Sequence, residues 1–375
     1  MYIVGLKVNH YIKLKFVNFS MKIVRVSNDI SPTNTAFNQF AKYRSTVQDA
    51  GIEKLIVYKG NSGTRNEIKG PDVIECESSY LNLFKSLKKI VNQCDKYDEK
   101  VIIHHHYPKF AFILLLLKWI YGDVIHVYTI HNTYSNYRFI HKVLTRINML
   151  LVDKVVYCGK ASSESFKSLR FLPSSNKQMT ITNGVDIQRV DNTTSKKENK
   201  TGKITLVTIA KVTNQKNIRF LIDVFENLPA EYQLEILGPL NDEDKNRIKN
   251  SEVTDRIFTR GRVEREEVYR KFKSSDIFLS AALWEGLPIA VLEAMACRIP
   301  VILSEIESHV EIKEKISSLK TTPFEVTNWV NEIEKLSKLE EAEKKAIVER
   351  NRNGVERNYS LSSMHEKYTE LYKSI

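Results

Sequence analysis

Regular patterning in this chain begins at residue 21. MKIVRVS (21–27), KLIVYKG (54–60), KVIIHHH (100–106), DVIHVYTIHN (123–132) and DKVVYCG (153–159) are short runs rich in β-branched residues. Runs of this length and composition predict strands. Longer amphipathic or apolar stretches separate them, among them FAFILLLL from Phe110 to Leu117, which Lys118 interrupts. That stretch is far short of the roughly 18–20 apolar residues a membrane span needs, so it reads as a buried helix. Strands alternating with helices predict a parallel α/β domain. DNTTSKKENK (191–200) is polar, lacks hydrophobic periodicity and reads as an exposed linker. The strand rhythm then resumes with KITLVTIA (203–210), YQLEILG (232–238), RIFTRG (256–261), DIFLSAA (276–282) and PVILSEI (300–306). Between these lie helical segments such as NIRFLIDVFENL and REEVYRKFKSS. A second α/β domain follows, so the expected division is an extension over 1–20, a first domain over 21–190, a linker over 191–200, a second domain over 201–357 and a terminal segment over 358–375.

Composition narrows the class. With 42% hydrophobic and 27% charged residues over 375 positions, the chain has enough apolar material for two cores, which excludes a disordered or stapled miniature fold. Cys76, Cys94, Cys158 and Cys297 are widely spaced and form no C-x-x-C pair, so neither a disulfide framework nor a zinc ribbon is expected and a reducing, cytoplasmic compartment fits. The first twenty residues alternate apolar and polar positions without a continuous apolar core or a small-residue cleavage site, which is a poor signal peptide. Met21 opens the first strand pattern and is an alternative translation start, which mass spectrometry of the native N-terminus distinguishes.

Charge is one-sided. Residues 1–190 carry 27 Lys+Arg against 14 Asp+Glu, whereas residues 191–375 carry 30 against 31. The +12 excess therefore belongs to the first half, pointing to an anionic partner such as a phosphate-bearing substrate, a nucleic acid or an anionic membrane, or else to a solvated basic face. No nucleic-acid motif and no basic-aromatic stripe accompanies the charge.

The most informative stretch is SAALWEGLPIAVLEAMACRIPVILSEIESHVEI (280–312). A strand ends, a short loop carries Glu285, Gly286 and Leu287, and Pro288 fits a first helical position. Free N–H groups near Gly286, Leu287 and Ile289, together with the helix dipole, make an anion site suited to a diphosphate. Glu285 before the helix and Glu293 within it place two carboxylates at different depths, able to accept hydrogen bonds from hydroxyls. A phosphate cradle flanked by such carboxylates suits a nucleotide sugar. Glu285 can also be read as merely stabilising a helix start.

Glu285 and Glu293, set in WEGLPIAVLEAMACRIPV, resemble the E-x7-E signature of retaining glycosyltransferases of the family 4 type, whose fold is GT-B. The resemblance implies two Rossmann-like α/β domains facing each other across a cleft, with the terminal helix in SSMHEKYTELYKSI (362–375) crossing back onto the first domain. Ala210-Lys211-Val212-Thr213-Asn214-Gln215-Lys216-Asn217-Ile218 resembles the segment whose two basic residues grip the donor diphosphate, here Lys211 and Lys216. Glycine and arginine usually stand where this chain has Ala210 and Lys211, and a lysine lacks the planar fork for bidentate phosphate binding. Two surface lysines in a turn are the alternative reading. Ile181-Thr182-Asn183-Gly184-Val185-Asp186 resembles the I-x-N-G-V-D element that ends the first domain, with Asp186 free to bond local amides. Ser304, Glu305, Ile306, His309 and Glu311 resemble a further part of the cleft wall.

In the first domain, Thr129-Ile130-His131-Asn132 matches the family histidine at the sugar end of the donor, so His131 is the expected cleft histidine, a structural histidine being the alternative. His104, His105 and His106 also end a strand, but successive strand residues face opposite sides and cannot converge on one ion. Metal is expected to be inessential and no cofactor is expected beyond the donor. The loop Ser27–Thr35 lacks the glycines usual in the family, which implies an unusual acceptor. The resemblance thus implies glycosyl transfer from a nucleotide diphosphate sugar to a glycan or undecaprenyl-diphosphate-linked acceptor at an anionic membrane surface, in O-antigen, capsule or exopolysaccharide biosynthesis. Glu285, His131 and Lys216 are the expected catalytic residues, and Lys211, Lys216, Gly286, Leu287 and Glu293 the donor-binding ones. A nucleotide-sugar 2-epimerase of the same fold and a non-enzymatic sugar- or nucleic-acid-binding protein are the alternatives.

Overall fold

A computed structural model describes residues 21–27, 52–59, 73–76, 79–95, 100–169, 172–195 and 202–375. The 1–20 extension, most of the Ser27–Thr35 loop and the linker residues 196–200 lie outside the described residues.

The first sheet joins β1 (Met21–Ser27), β2 (Ile52–Lys59), β3 (Val73–Cys76), β4 (Lys100–His105), β5 (Ile125–Ile130), β6 (Lys154–Tyr157) and β7 (Gln178–Thr180). Every pairing is parallel, in the order β3-β2-β1-β4-β5-β6-β7. The second sheet joins β8 (Ile204–Ile209), β9 (Tyr232–Leu237), β10 (Ile257–Thr259), β11 (Ile277–Ser280), β12 (Val301–Ser304) and β13 (Thr321–Thr322) in the order β10-β9-β8-β11-β12-β13, again parallel throughout. Each order reverses beside its first strand, at β1/β4 and at β8/β11. Crevices at such reversals, outside the carboxyl ends of the strands, are where doubly wound sheets take their ligands.

Parallel strands covered on both faces are apolar along their length, and these obey the rule: five consecutive residues of β4 and all four of β11 are buried. The helix Ile289–Ala296 is apolar apart from Glu293 and buried from Val291 to Ala296, packed against the helix Glu341–Tyr359. Pro288 sits one position earlier than its sequence pattern implies, as the residue capping this helix rather than the first within it.

After Tyr359 the chain turns at Ser360 and the helix Leu361–Lys373 crosses to the first domain. There Leu361, Met364, Tyr368, Leu371 and Tyr372 close one face of the first sheet against Ile23, Ile102, Val127, Val156 and Ile181. The Ile181–Asp186 element holds the turn in place. Val185 donates to Tyr359 O at 2.8 Å and receives from Leu361 N at 3.0 Å, and a Cβ on Gly184 would lie 2.5 Å from Leu361 Cα. Asp186 Oδ1 accepts from Arg189 N at 3.0 Å and caps the helix Ile187–Asn192. This element supplies backbone packing at the crossing point of the two domains.

Candidate functional site

The two strands flanking the second sheet's reversal deliver the first components. Beyond β8, Asn214–Lys216 form a single 3-10 turn, Asn217 takes a left-handed conformation at φ 51°, and the helix Ile218–Glu226 begins. Beyond β11 comes the loop with Glu285. Leu283 N donates to Gln215 O at 2.9 Å, and Gln215 Nε2 donates to Trp284 O at 2.9 Å and to Glu285 Oε2 at 3.3 Å. The two loops are thereby stitched together, and Lys216 Nζ forms an ion pair with Glu285 Oε1, with both side chains largely shielded. Lys211 stands apart, exposed and in no ion pair among the described residues. The amides of Gly286, Leu287 and Ala290 have no protein acceptor among the described residues, but Ile289 N bonds Leu287 O at 3.0 Å. The sequence expectation of a free amide at Ile289 is corrected accordingly, because the tight turn ahead of Pro288 consumes it.

Glu293 lies deeper. It is 0% exposed, and Oε1 receives both Arg265 Nε at 2.9 Å and the Tyr269 hydroxyl at 2.8 Å. Oε2 has no partner among the described residues. Burial pushes its pKa up, while the Arg265 guanidinium pulls it back. Glu285 and Glu293 thus occupy different depths, one in the loop between the domains and the other in the core behind it.

The first sheet faces this loop with histidines. A Cβ on Gly286 would fall 2.3 Å from His131 O, so only glycine permits this approach of the two backbones. His131 Nε2 and His106 Nδ1 are 2.8 Å apart with the rings stacked at 5.0 Å. Burial pushes His131 down to about 4 and His106 well below the usual imidazole value, so both rings are neutral at pH 7 and one donates to the other. His104 bonds the Tyr372 hydroxyl at 2.6 Å and Thr129 Oγ1 at 2.8 Å, whereas His105 stacks on Tyr128 at 4.7 Å. His104 and His106 thus share one side of the strand, with their rings 4.5 Å apart, while His105 faces the other side. Among the described residues, no group of three or more His, Cys, Asp or Glu is arranged to hold a metal ion.

A second contact closes the domains. Glu311, on the helix Glu307–Lys315, accepts from Lys160 N and Ala161 N of the first domain, each at 2.9 Å. His309 is buried with Nδ1 2.8 Å from Ser304 O, and burial lowers it to about 4. Ser304 Oγ donates to Ala282 O at 2.7 Å, and Glu305 is exposed. Of the sequence candidates, the fold brings Lys216, Glu285, Gly286, Leu287 and His131 together, sets Glu293 behind them and leaves Lys211 at the edge. Sequence reading took His106 only as part of the histidine run dismissed as a metal cluster, and did not single out Gln215, Arg265 or Tyr269. His106 had a signal, since the adjacent paired strands β4 and β5 both run into histidines at their carboxyl ends.

Known proteins share this architecture. Residues 54–189 match the model of Glycosyltransferase Family 4, and residues 190–353 match that of Glycosyl transferases group 1. A capsular polysaccharide biosynthesis glycosyltransferase, CapH of Staphylococcus aureus, is 24% identical over 294 residues, covering 71% of this chain and 76% of that protein. The UDP-Gal:alpha-D-GlcNAc-diphosphoundecaprenol alpha-1,3-galactosyltransferase of Escherichia coli is 22% identical over 324 residues, 80% of each chain. The structure of Anabaena HepE in complex with UDP and glucose superposes with a TM-score of 0.74 at 15% identity, covering 95% of this chain and all of that one. Two family matches that abut at residue 190, on two facing parallel sheets with a helix crossing back, place this chain among the glycosyltransferases of the family 4 type, enzymes of the GT-B fold.

Proposed function

We propose that the protein transfers a sugar from a nucleotide diphosphate donor to a hydroxyl of a glycan or undecaprenyl-diphosphate-linked acceptor, with retention at the anomeric carbon. The observation that carries this reading is the meeting of Lys216, Glu285 and His131 where the Gly286 backbone touches the His131 carbonyl. The names of the relatives support the setting: one acts in capsule biosynthesis and another on a diphosphoundecaprenol-linked sugar. We read this chain as a step in O-antigen, capsule or other exopolysaccharide assembly, at the cytoplasmic face of an anionic membrane. The lysine-rich first half is the acceptor side in this reading.

In the reaction the anomeric carbon–oxygen bond to the diphosphate breaks and its electron pair leaves with the phosphate. The acceptor oxygen bonds to the same face of that carbon, and its proton passes to the departing phosphate oxygen. Negative charge grows on the leaving group, where Lys216, the free amides of Gly286 and Leu287 and the exposed Lys211 stabilise it through arrangement made in advance. In the resting site Glu285 neutralises Lys216. Once the diphosphate takes Lys216, Glu285 is released to accept hydroxyls of the sugar. His131, neutral and oriented by His106, hydrogen-bonds the transferred sugar or the leaving phosphate. Glu293 Oε2, buried and without a partner among the described residues, is the acceptor offered to the ribose once donor binding uncovers it. These groups supply the positive charge the leaving group needs, so chelators should leave the rate unchanged.

The test is a thermal-shift screen of UDP, GDP, ADP and dTDP and their sugars on the native protein and Glu293→Ala, followed by NMR assignment of the product anomer. We expect one nucleotide class to stabilise the native protein, a smaller shift in the variant, and a product with the donor's anomeric configuration. An inverted product removes the retaining mechanism. A free epimerised sugar formed without acceptor moves the assignment to the 2-epimerases.

A further inference from the structure

The helix Ala111–Ile120 buries Ala111, Leu114 and Leu117 in the first domain, yet its other face is no more polar. Phe112, Leu115, Leu116, Trp119 and Ile120 follow the i, i+3, i+4, i+7, i+8 spacing of one helical face, and all are exposed, Trp119 at 83%. The neighbouring helix Phe139–Leu151 packs beside it and adds Phe139, at 82% exposure, with Ile140 and Leu150. Asn148 Nδ2 fixes the two together by donating to Pro108 O at 2.8 Å, just ahead of the first helix. Isolated exposed apolar residues need no explanation, but two adjacent helices that both expose large apolar side chains do.

We propose that this face is a membrane-docking surface that seats the first domain in the headgroup region of an anionic bilayer. Charge identifies the occupant. Neither helix contains an Asp or Glu, while Lys109, Arg138 and Arg146 are exposed around them. Lys142 and Arg146 lie 5.2 and 5.1 Å from the Tyr134 ring, which holds both cations on the flank of the second helix. Asp153, beyond the second helix, is paired with Lys118, and Asp123 is exposed beyond the C-terminal end of the first, so the helices themselves offer cations and no carboxylate. Such an apolar face fits anionic lipid, whose acyl chains take the aromatic residues and whose phosphates take the cations. A second copy of the chain fits it poorly, because a two-fold contact would set like charges against each other without partners. No helix among the described residues is long and apolar enough to cross a membrane, so these helices lie in the interface plane. The inference deepens the proposed function by naming the surface that delivers the site to a lipid-borne acceptor.

The vesicle measurements use the whole protein without substrate, so their outcome is independent of the transfer reaction. Of the three tryptophans, Trp329 is buried and Trp284 is half-buried in the Glu285 loop, leaving Trp119 as the exposed reporter. With vesicles of phosphatidylcholine and phosphatidylglycerol, Trp119 emission should shift to the blue and be quenched by brominated acyl chains. The triple variant Phe112→Gln/Leu116→Gln/Trp119→Gln should sediment with these vesicles at least about tenfold more weakly. Trp119→Phe should keep binding while losing the emission signal. Vesicles of phosphatidylcholine alone should bind more weakly, and salt should weaken the anionic case only in part. Unquenched Trp119 emission in vesicle-bound protein overturns the assignment of this face, and so does sedimentation equilibrium showing a dimer that the triple variant dissolves. Transfer to a short-chain, water-soluble acceptor analogue should survive in the triple variant. Absence of that transfer in the native protein would count against the function instead.

Discussion

At the scale of single residues the site is organised around charges already compensated within the protein. Replacing Lys216 with alanine removes the cation facing the leaving diphosphate and leaves Glu285 with Gln215 but no cation, so kcat should fall by about 10²-fold or more while the fold persists; steady-state kinetics beside a melting curve separates the two effects. Glu285→Gln keeps the shape but loses the ion pair and should also lower kcat. The buried histidines carry a different consequence. His105 is lowered to about 3 and His126, His131 and His309 to about 4, each chiefly by burial. Folded values below the ordinary 6.5 mean that the unfolded chain takes up protons the folded chain refuses. Stability is therefore intact above about pH 6.5 and declines as the pH falls toward 4, by up to about 1.4 kcal/mol per pH unit for each histidine. Melting temperatures should hold from pH 7.5 to about pH 6.5 and then drop toward pH 5, and the drop should be shallower in His126→Phe.

At the scale of elements, the loop with Gly286 depends on having no side chain there. Gly286→Ala would place a methyl carbon 2.3 Å from His131 O, which cannot yield without moving the histidine loop or parting the domains. Transfer should collapse while nucleotide binding to the second domain survives, and calorimetric titration with the cognate nucleotide checks the split. Much of this element pattern was legible in the sequence. Strands such as Met21–Ser27, Tyr232–Leu237 and Ile277–Ser280 announce themselves because apolar residues dominate them, continuous over Ile277, Phe278 and Leu279 and interrupted only singly by Lys22, Arg25, Gln233 and Glu235 in the other two. Val73–Cys76, Gln178–Thr180 and Thr321–Thr322 did not, since they are two to four residues long and draw their pairing from a neighbour rather than from their own composition. The motif around Glu285 was legible because loop, proline and apolar helix follow one another directly. The His106–His131 contact and the burial of Glu293 under Arg265 were not, because each joins residues that only tertiary packing brings together.

At the scale of the whole molecule, the Glu311 carboxylate joins the domains by capping amides of Lys160 and Ala161 across the cleft. Glu311→Ala removes both bonds from an otherwise intact second domain. It should raise the acceptor KM more than it changes nucleotide affinity, and small-angle scattering should report a larger radius of gyration. The helix Leu361–Lys373 is the stronger tie, since Tyr368 and Tyr372 are buried against the first sheet and bond Thr129 and His104. That helix has a consequence in time as well as in space. During translation the first sheet is complete once Thr180 has emerged, yet the apolar face formed by Ile23, Ile102, Val127 and Val156 waits for roughly another 190 residues before its cover is made. The first domain thus leaves the ribosome unfinished, and its maturation is timed by the synthesis of the second.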